Sequence, residues 1–508
     1  MTDSQDQDEV IAFLSMPASY DFAPVEVERL STHASHVFLA GGYAFKLKRA
    51  VHYSYLDYST VEIRREACTK ELTLNRRTAP GLYLSIRAVT READGRLAFD
   101  GSGEVLDHVV VMRRFEQDQL FDHLAERSLL DEALMRRLAD RIVAFHGEAQ
   151  PETGFGGCEA LLVVLEDNHA CFGEVPLDRA RIDALHARSA AALGQVGGLL
   201  DRRRDKGKVR RCHGDLHLRN ICLFEGEPTL FDCIEFSDRL ACIDILYDLA
   251  FLLMDLLKRG LDGFANLVLN RYLDALEETD GLACLPLFLS LRAAIRAHVG
   301  AFAARGLPEA EAQTRLDEAG AYLDLAVDLL AEKRPILVAI GGLSGSGKST
   351  VAAGLAPLLG RRPGARVLRS DFIRKRLFGV APEQRLPPEA YAPEVSPQVY
   401  RELGMRAAQV LGAGCSAVTD AVFAREGERA AIAEIAAAAG ARFQGIWLEA
   451  PAETLEDRIR QRRHDISDAT PELVQKQLGY DLGRLDWIRI DAGGGPAETL
   501  RRVREALG

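Results

Sequence analysis

Apolar and polar positions give the two halves of the chain different rhythms. From Pro335 onward, short apolar runs at 336–340, 366–369, 416–419, 443–448 and 487–490 alternate with amphipathic stretches of helical period. Strands alternating with helices predict a parallel sheet covered by helices. The first half is mixed. Residues 37–40 and 43–48 are β-rich runs around Gly41-Gly42 and predict a hairpin; 59–77 predicts a helix and 108–114 a strand. Helical patterns then dominate at 138–146, 177–200 and 244–257, with a long helical tail over 285–333. The expected architecture is an α+β domain over 1–330 followed by an α/β domain over 335–508.

Composition changes this picture little. The 508 residues are 47% hydrophobic and 27% charged, as in ordinary soluble proteins, and no apolar run is read as long enough to cross a bilayer. The start is acidic and polar, unlike a signal peptide. Nine cysteines form no Cys-x-x-Cys pair, which argues against a disulfide framework or a zinc ribbon and for a reducing cytoplasm. A net charge of -12 disfavours a nucleic-acid backbone as main partner.

The chemistry of the second half centres on Gly342-Leu343-Ser344-Gly345-Ser346-Gly347-Lys348-Ser349-Thr350, between the run 336–340 and a helical stretch. In that context the motif is a phosphate-binding P-loop: glycines turn backbone N–H groups toward one anion and the helix N-terminus adds its dipole. Lys348 would reach the outer phosphates and Ser349 would offer a hydroxyl to Mg²⁺. Ligands of open α/β sheets bind beyond the carboxyl ends of the strands, which here carry Ser370-Asp371, Asp420 and Glu449. Asp371 is the candidate base or Mg²⁺ organiser, with a helix cap over 372–378 as the other role its type favours. Asp420 closes its apolar run in the manner of a Walker B carboxylate. Arg458 and Arg462 share a helical face and could close over a transferring phosphate, or could belong to a solvated face with Glu456 and Asp457. The order of these parts resembles the small-molecule P-loop kinases, the gluconate kinase, chloramphenicol phosphotransferase and zeta-toxin grouping. That resemblance implies phosphoryl transfer from ATP to a hydroxyl, with Arg458 and Arg462 in a lid and Arg374 near the acceptor.

A second signature lies upstream. Cys212-His213-Gly214-Asp215-Leu216-His217-Leu218-Arg219-Asn220 is followed by Leu230-Phe231-Asp232-Cys233-Ile234-Glu235. An Asp, an Asn five positions on and a further Asp after a short hairpin are how protein-kinase-like enzymes place a base and two Mg²⁺ ligands. The spacing resembles the aminoglycoside phosphotransferase and choline kinase superfamily. On that resemblance Asp215 is the base, Asn220 and Asp232 bind Mg²⁺, and Asp244 and Asp248 lie on the helix packed behind the loop. Metal binding by Cys212, His213, His217 and Cys222 competes poorly, because zinc sites favour tighter paired spacing; His213 is read as a hydrogen-bonded structural residue. The resemblance also implies two lobes, a small one over about 1–112 and a helical large one over about 113–330, and the small-lobe parts can be found in order. Lys46 should reach the α- and β-phosphates, with Glu66 favoured as its partner and Glu71 in reserve. Ser35 lies beside a phosphate-covering turn, and backbone near Met112 and Arg113 would pair with adenine. No Gly-x-Gly-x-x-Gly is present.

The chain thus resembles bacterial fusions of an aminoglycoside-phosphotransferase-like domain, bilobal and protein-kinase-like, with a P-loop kinase domain. The resemblance implies two Mg·ATP sites acting on hydroxylated small molecules, without nucleic-acid or membrane partners. Two other readings stand beside it: a regulatory or scaffold protein in which one half senses a ligand, and a polynucleotide or toxin-like P-loop kinase.

Overall fold

The computed structural model describes residues 7–53, 56–381, 384–461 and 467–507. The chain packs into two compact units, Met1–Val164 with Gly197–Asp255 and Leu165–Val196 with Leu256–Gly508.

The first unit is built on a six-stranded antiparallel sheet of β1 (Val27–Ser31), β2 (Ser35–Ala40), β3 (Tyr43–Lys48), β6 (Tyr83–Arg91), β7 (Leu97–Phe99) and β8 (Glu104–Arg113), in the order β1-β2-β3-β8-β6-β7. Two short strands, β4 (His52–Tyr53) and β5 (Leu56–Asp57), pair with each other. Alternation along β3 decides what each face carries. Phe45 and Leu47 enter a core with Val10, Phe38, Val89, Val109 and Val111, whereas Lys46 and Lys48 reach Glu71 on the helix Val61–Asn75. That helix starts at Thr60, whose side chain accepts from the Ile63 amide at 3.3 Å. It buries Arg64, Ala67, Cys68, Glu71, Leu74 and Asn75, a stripe of helical period. Beyond the sheet, β9 (Val209–Arg211) pairs with β12 (Cys242–Asp244), and β10 (Ile221–Phe224) forms a hairpin with β11 (Glu227–Leu230).

The second unit contains a five-stranded parallel sheet of β13 (Ile336–Gly342), β14 (Arg366–Arg369), β15 (Ala417–Asp420), β16 (Arg442–Glu449) and β17 (Ile488–Asp491), in the order β14-β15-β13-β16-β17. All seven residues of β13 are buried, as expected of a central strand covered on both faces. Each of the five expected runs lies at a strand. The differences are at the ends: β13 continues to Gly342, and β15 includes Asp420 as its last residue.

The edge strand β14 does not end in open backbone. The helix Asp262–Leu276 lies along it: Asn270 Oδ1 accepts the Val367 amide at 2.8 Å, and Asn266 Nδ2 donates to the Pro363 and Ala365 carbonyls at 3.1 and 3.0 Å. Arg366 adds bonds to Asn270 Oδ1 at 2.9 Å and to Asp274. Two asparagines therefore do for this edge what a neighbouring strand would do. The segment Asp280–Ala303 is, by length and composition, apolar enough to cross a bilayer, contrary to the sequence reading. Most of it is buried against protein, including Phe288, Arg292 and Ala297, so it serves as a core helix of this unit.

Candidate active sites

The first site draws on segments distant in sequence. Lys46 Nζ donates to Glu71 Oε1 at 2.8 Å and to Asp232 Oδ1 at 2.6 Å. Lys48 Nζ donates to Glu71 Oε2 at 2.7 Å, to Tyr58 OH at 3.2 Å and to Glu235 Oε1, and the Tyr58 hydroxyl donates to the same Glu235 oxygen at 2.6 Å. Burial works against both ammonium groups, but Asp232 and Glu71 around Lys46, and Glu235 and Glu71 around Lys48, outweigh it and hold both lysines well above their ordinary pKa. Burial likewise opposes the Glu71 carboxylate, and the two lysines outweigh it and keep it ionised.

The expected pairing of Lys46 with Glu66 is corrected. Glu66 lies on the exposed face of the helix, whereas Glu71 is fully buried on the stripe facing β3. Helical period was the missed signal: Arg64, Ala67-Cys68, Glu71 and Leu74 recur every three or four residues, and Glu66 falls off that series. Lys48, Tyr58 and Glu235 were also missed, although Lys48 stands two residues from Lys46 and must share its side of the strand.

The loop after β9 is held from behind. Asp248, fully buried, accepts the His213 amide at 3.1 Å, the Gly214 amide at 2.8 Å and a 3.0 Å contact with His146 Nε2. Asp255 accepts the Leu218 amide at 3.0 Å, and Asp244 binds Arg203 at 2.8 and 2.9 Å. His213 Nε2 lies 2.9 Å from the Phe231 carbonyl, and burial lowers its pKa, so it is a neutral structural bridge. Asn220 Nδ2 donates to the Asp215 carbonyl and to Oδ2, both at 2.9 Å, and His217 Nε2 lies 3.3 Å from Oδ2. Asp232 has φ +60°, an uncommon backbone for a non-glycine residue and one that Asp tolerates. Asp215, Asn220 and Asp232 offer oxygen donors, the chemistry that suits a hard divalent cation. Among the described residues, Cys212, His213, His217 and Cys222 form no metal-type cluster. His146, Cys212 and Asp248 do converge, but Asp248 is engaged by loop amides and burial pushes the Cys212 thiol well up, away from a thiolate.

Ser35 is buried at the start of β2, its amide donating to Thr32 Oγ1 at 3.0 Å; the turn before it joins β1 to β2. Met112 sits in β8 between β3 and β6. The Arg113 and Arg114 amides donate to Leu82 and Gly42 carbonyls at 2.9 and 2.8 Å. These two amides are therefore engaged within the sheet and are not open to a base.

The second site is nearly contiguous. Gly342, Gly345 and Gly347 have φ of +140°, +87° and +89°. A Cβ on Gly345 would stand 2.5 Å from the Leu455 carbonyl oxygen, and one on Gly342 would stand 2.7 Å from that of Leu448, so both positions require glycine. Lys348 Nζ donates to the Gly342 and Leu343 carbonyls at 2.9 and 3.0 Å, and the Ser344 amide donates to Gln477 Oε1 at 2.8 Å. Ser346 Oγ is buried and has no hydrogen-bond partner among the described residues, an orphan that a phosphate oxygen would satisfy. Ser349 Oγ donates to Asp420 Oδ2 at 2.6 Å, bringing together two oxygen donors far apart in sequence, as a Mg²⁺ site requires. Arg369, absent from the sequence reading, donates to Ser349 Oγ at 3.0 Å from the end of β14. Thr350 is exposed on the following helix.

Arg458 donates to the Gly494 carbonyl at 2.6 Å and lies 3.5 Å from that of Gly345, so it braces the P-loop. Arg462 lies outside the described residues. Asp371 is the second residue of the helix Ser370–Leu377; Arg369 holds the N-cap position, so Asp371 is not the cap. Arg374 is largely buried and donates to the Ala390 carbonyl at 2.7 Å and to Ser396 Oγ at 3.3 Å, beneath the Tyr391 ring.

Residues 84–283 match the family described as "Phosphotransferase enzyme family", and residues 337–480 match the "AAA domain" family. The chain is 30% identical over 483 residues to "Uncharacterized protein Rv2004c" of Mycobacterium tuberculosis (strain ATCC 25618 / H37Rv), covering 91% of this chain and 92% of that one. The same figures hold for "Uncharacterized protein Mb2027c" of Mycobacterium bovis. Similar solved structures include a choline/ethanolamine kinase family protein from Mesorhizobium loti, with 14% identity, TM-score 0.37, 64% of this chain and 99% of that one. A gluconokinase from Sinorhizobium meliloti 1021 has 22% identity and TM-score 0.24, over 35% of this chain and 97% of that one. The chain thus carries a phosphotransferase-family domain and a P-loop kinase domain.

Proposed function

The chain belongs to the same family as these mycobacterial proteins, aligned over both kinase-type domains, and we propose that it transfers phosphate from ATP to small-molecule hydroxyls at two separate sites. The observation that carries this reading is that each half brings its own cation and anion groups together. In one, Lys46 bridges Glu71 and Asp232 while Asn220 holds Asp215; in the other, Ser349 meets Asp420 at the foot of the P-loop that holds Lys348. Bound Mg·ATP would supply the phosphoryl group and neutralise charge on it.

The chain's own residues do the rest. In the first site Lys46 orients the inner phosphates, and Asn220 and Asp232 provide metal ligands. Asp215 takes the acceptor proton as the acceptor oxygen bonds to the γ-phosphorus and the bond to the ADP oxygen breaks. In the second, P-loop amides and Lys348 would hold the phosphates, and Ser349 with Asp420 would hold the metal. Asp371, whose carboxylate has no hydrogen bond among the described residues, serves as base, with Arg374 near the acceptor and Arg458 bracing the P-loop; Arg462, outside the described residues, is assigned to the transferring phosphate from the sequence alone. Positioning and charge placement, without a covalent intermediate, account for the rate. Nine free cysteines fit a reducing cytoplasm.

The test is phosphate transfer from ATP to a panel of sugars, sugar acids, aminocyclitols, nucleosides and oligonucleotides. It is run on the full chain and on the Asp215→Asn and Lys348→Ala variants. Small hydroxylated compounds should be phosphorylated, each variant losing only its own site's product. Transfer to oligonucleotides alone would favour a polynucleotide kinase. Loss of the Asp215 site's product in Lys348→Ala would favour a regulatory or sequential arrangement.

A further inference from the structure

We propose that Lys48 is a positioning residue for the first site: it fixes Asp232, and hence the bound cation, relative to Lys46. This rests on reading that site as a Mg·nucleotide site. Lys48 is 1% exposed, and its three ammonium hydrogens have three acceptors, Glu71 Oε2, Tyr58 OH and Glu235 Oε1. No hydrogen is left over for a phosphate, so Lys48 acts through other residues.

Its two carboxylate partners are the informative ones. Glu71 forks, one oxygen to Lys46 and one to Lys48, so the orientation in which it presents Lys46 depends on both. Glu235 lies three residues after Asp232, and the intervening backbone is pinned step by step. The Cys233 amide donates to Asn75 Oδ1 at 3.0 Å and the Ile234 amide to the His213 carbonyl at 2.9 Å. Lys48 supplies the pin at Glu235. The segment carrying Asp232 is thus tied to the helix Val61–Asn75 through Asn75 and through Glu71–Lys48–Glu235, and to the catalytic loop through His213.

Stability alone does not require a charge there. A buried ion cluster is often no more stable than apolar side chains of the same volume, while removal of one partner strands the others. What the lysine adds is a further constraint on the geometry between the phosphate-binding Lys46 and the metal-binding Asp232, whose direct contact is a 2.6 Å hydrogen bond that a cation at Asp232 would compete for.

The experiment is calorimetry of a non-hydrolysable ATP analogue on the full chain carrying Lys348→Ala, which leaves the first site to be counted, over a series of Mg²⁺ concentrations. Three variants are added to that parent: Lys48→Met, Lys48→Met with Glu235→Gln, and Glu235→Gln alone. The double variant removes the stranded carboxylate at 235; the single Gln weakens the same tether from its other end by removing its charge. In all folded variants the Mg²⁺ needed for half-maximal tightening should rise roughly 10- to 100-fold, the usual cost of losing a residue behind a metal ligand. In Glu235→Gln, which leaves the Glu71 pairs with Lys46 and Lys48 in place, affinity for the analogue without Mg²⁺ should stay within about twofold. A parent-like Mg²⁺ dependence in the double variant or in Glu235→Gln would overturn the proposal, as would failure of every variant to fold, which would make the cluster structural. A parent that binds no analogue would instead overturn the two-site reading, and this proposal with it.

Discussion

The two proposed phosphate sites are assembled by opposite routes. In the second, one continuous stretch from Gly342 to Ser349 supplies most of the binding groups, and its conformation is dictated locally by glycines at positive φ. In the first, Lys46, Glu71, Asp215, Asn220 and Asp232 are brought together from four segments by buried ion pairs and amide-to-carboxylate bonds. A backbone-built site is therefore vulnerable at single glycines, and a side-chain-built site at single charges.

The largest effect is expected for Asp215→Asn, which keeps shape but removes the base. Turnover at the first site should fall about 10²- to 10⁴-fold with nucleotide still bound, and the second site should be untouched. Retained turnover would mean that another group takes the proton.

Next, Glu71→Gln should destabilise the first unit by about 3–5 kcal/mol, since it leaves two buried lysines short of charge. Glu66→Gln, on the exposed face, should change stability by less than about 0.5 kcal/mol. Melting of the two variants side by side decides between the two glutamates; equal effects would refute the network.

Gly345→Ala tests the other route. Strain of about 1–3 kcal/mol from positive φ adds to the clash with the Leu455 carbonyl, so the P-loop should open and lose nucleotide. The protein's two tryptophans offer a readout, because Trp447 and Trp487 both crowd Gly341, where a Cβ would lie 2.8 and 3.0 Å from their rings. A fluorescence response to nucleotide that survives Gly345→Ala would argue against a backbone-built site.

The smallest effect concerns the setting of the P-loop. Asn270→Ala leaves the Val367 amide without its side-chain acceptor and should cost about 1–3 kcal/mol. Residues 335–508 expressed alone should melt below 256–508 for the same reason. Equal melting would show that the helix Asp262–Leu276 contributes nothing to the sheet.

The same contrast explains what could be read from the sequence. All five strands of the parallel sheet and the P-loop were legible because apolar runs and glycine spacing are local signals. The His-Gly-Asp loop and its downstream Asp were legible for the same reason. Glu71 was displaced by Glu66 because partner choice across β3 depends on which helical face is buried, a tertiary fact that the sequence holds only as periodicity. Tyr58, Lys48 and Glu235 carry no motif at all, and the sealing of β14 by Asn266 and Asn270 joins residues about a hundred positions apart. Arg369 was passed over because a cation at a strand end reads as ordinary surface until Ser349 and Asp420 are seen beside it.

The central claim is that one chain holds two independent nucleotide sites, and stoichiometry tests it directly. Calorimetry of the full chain with Mg²⁺ and a non-hydrolysable ATP analogue should give two bound per chain, one in Lys348→Ala, and none when Lys46→Met is added. One per chain in the unaltered protein, or none in Lys348→Ala while the first unit remains folded, would contradict the account.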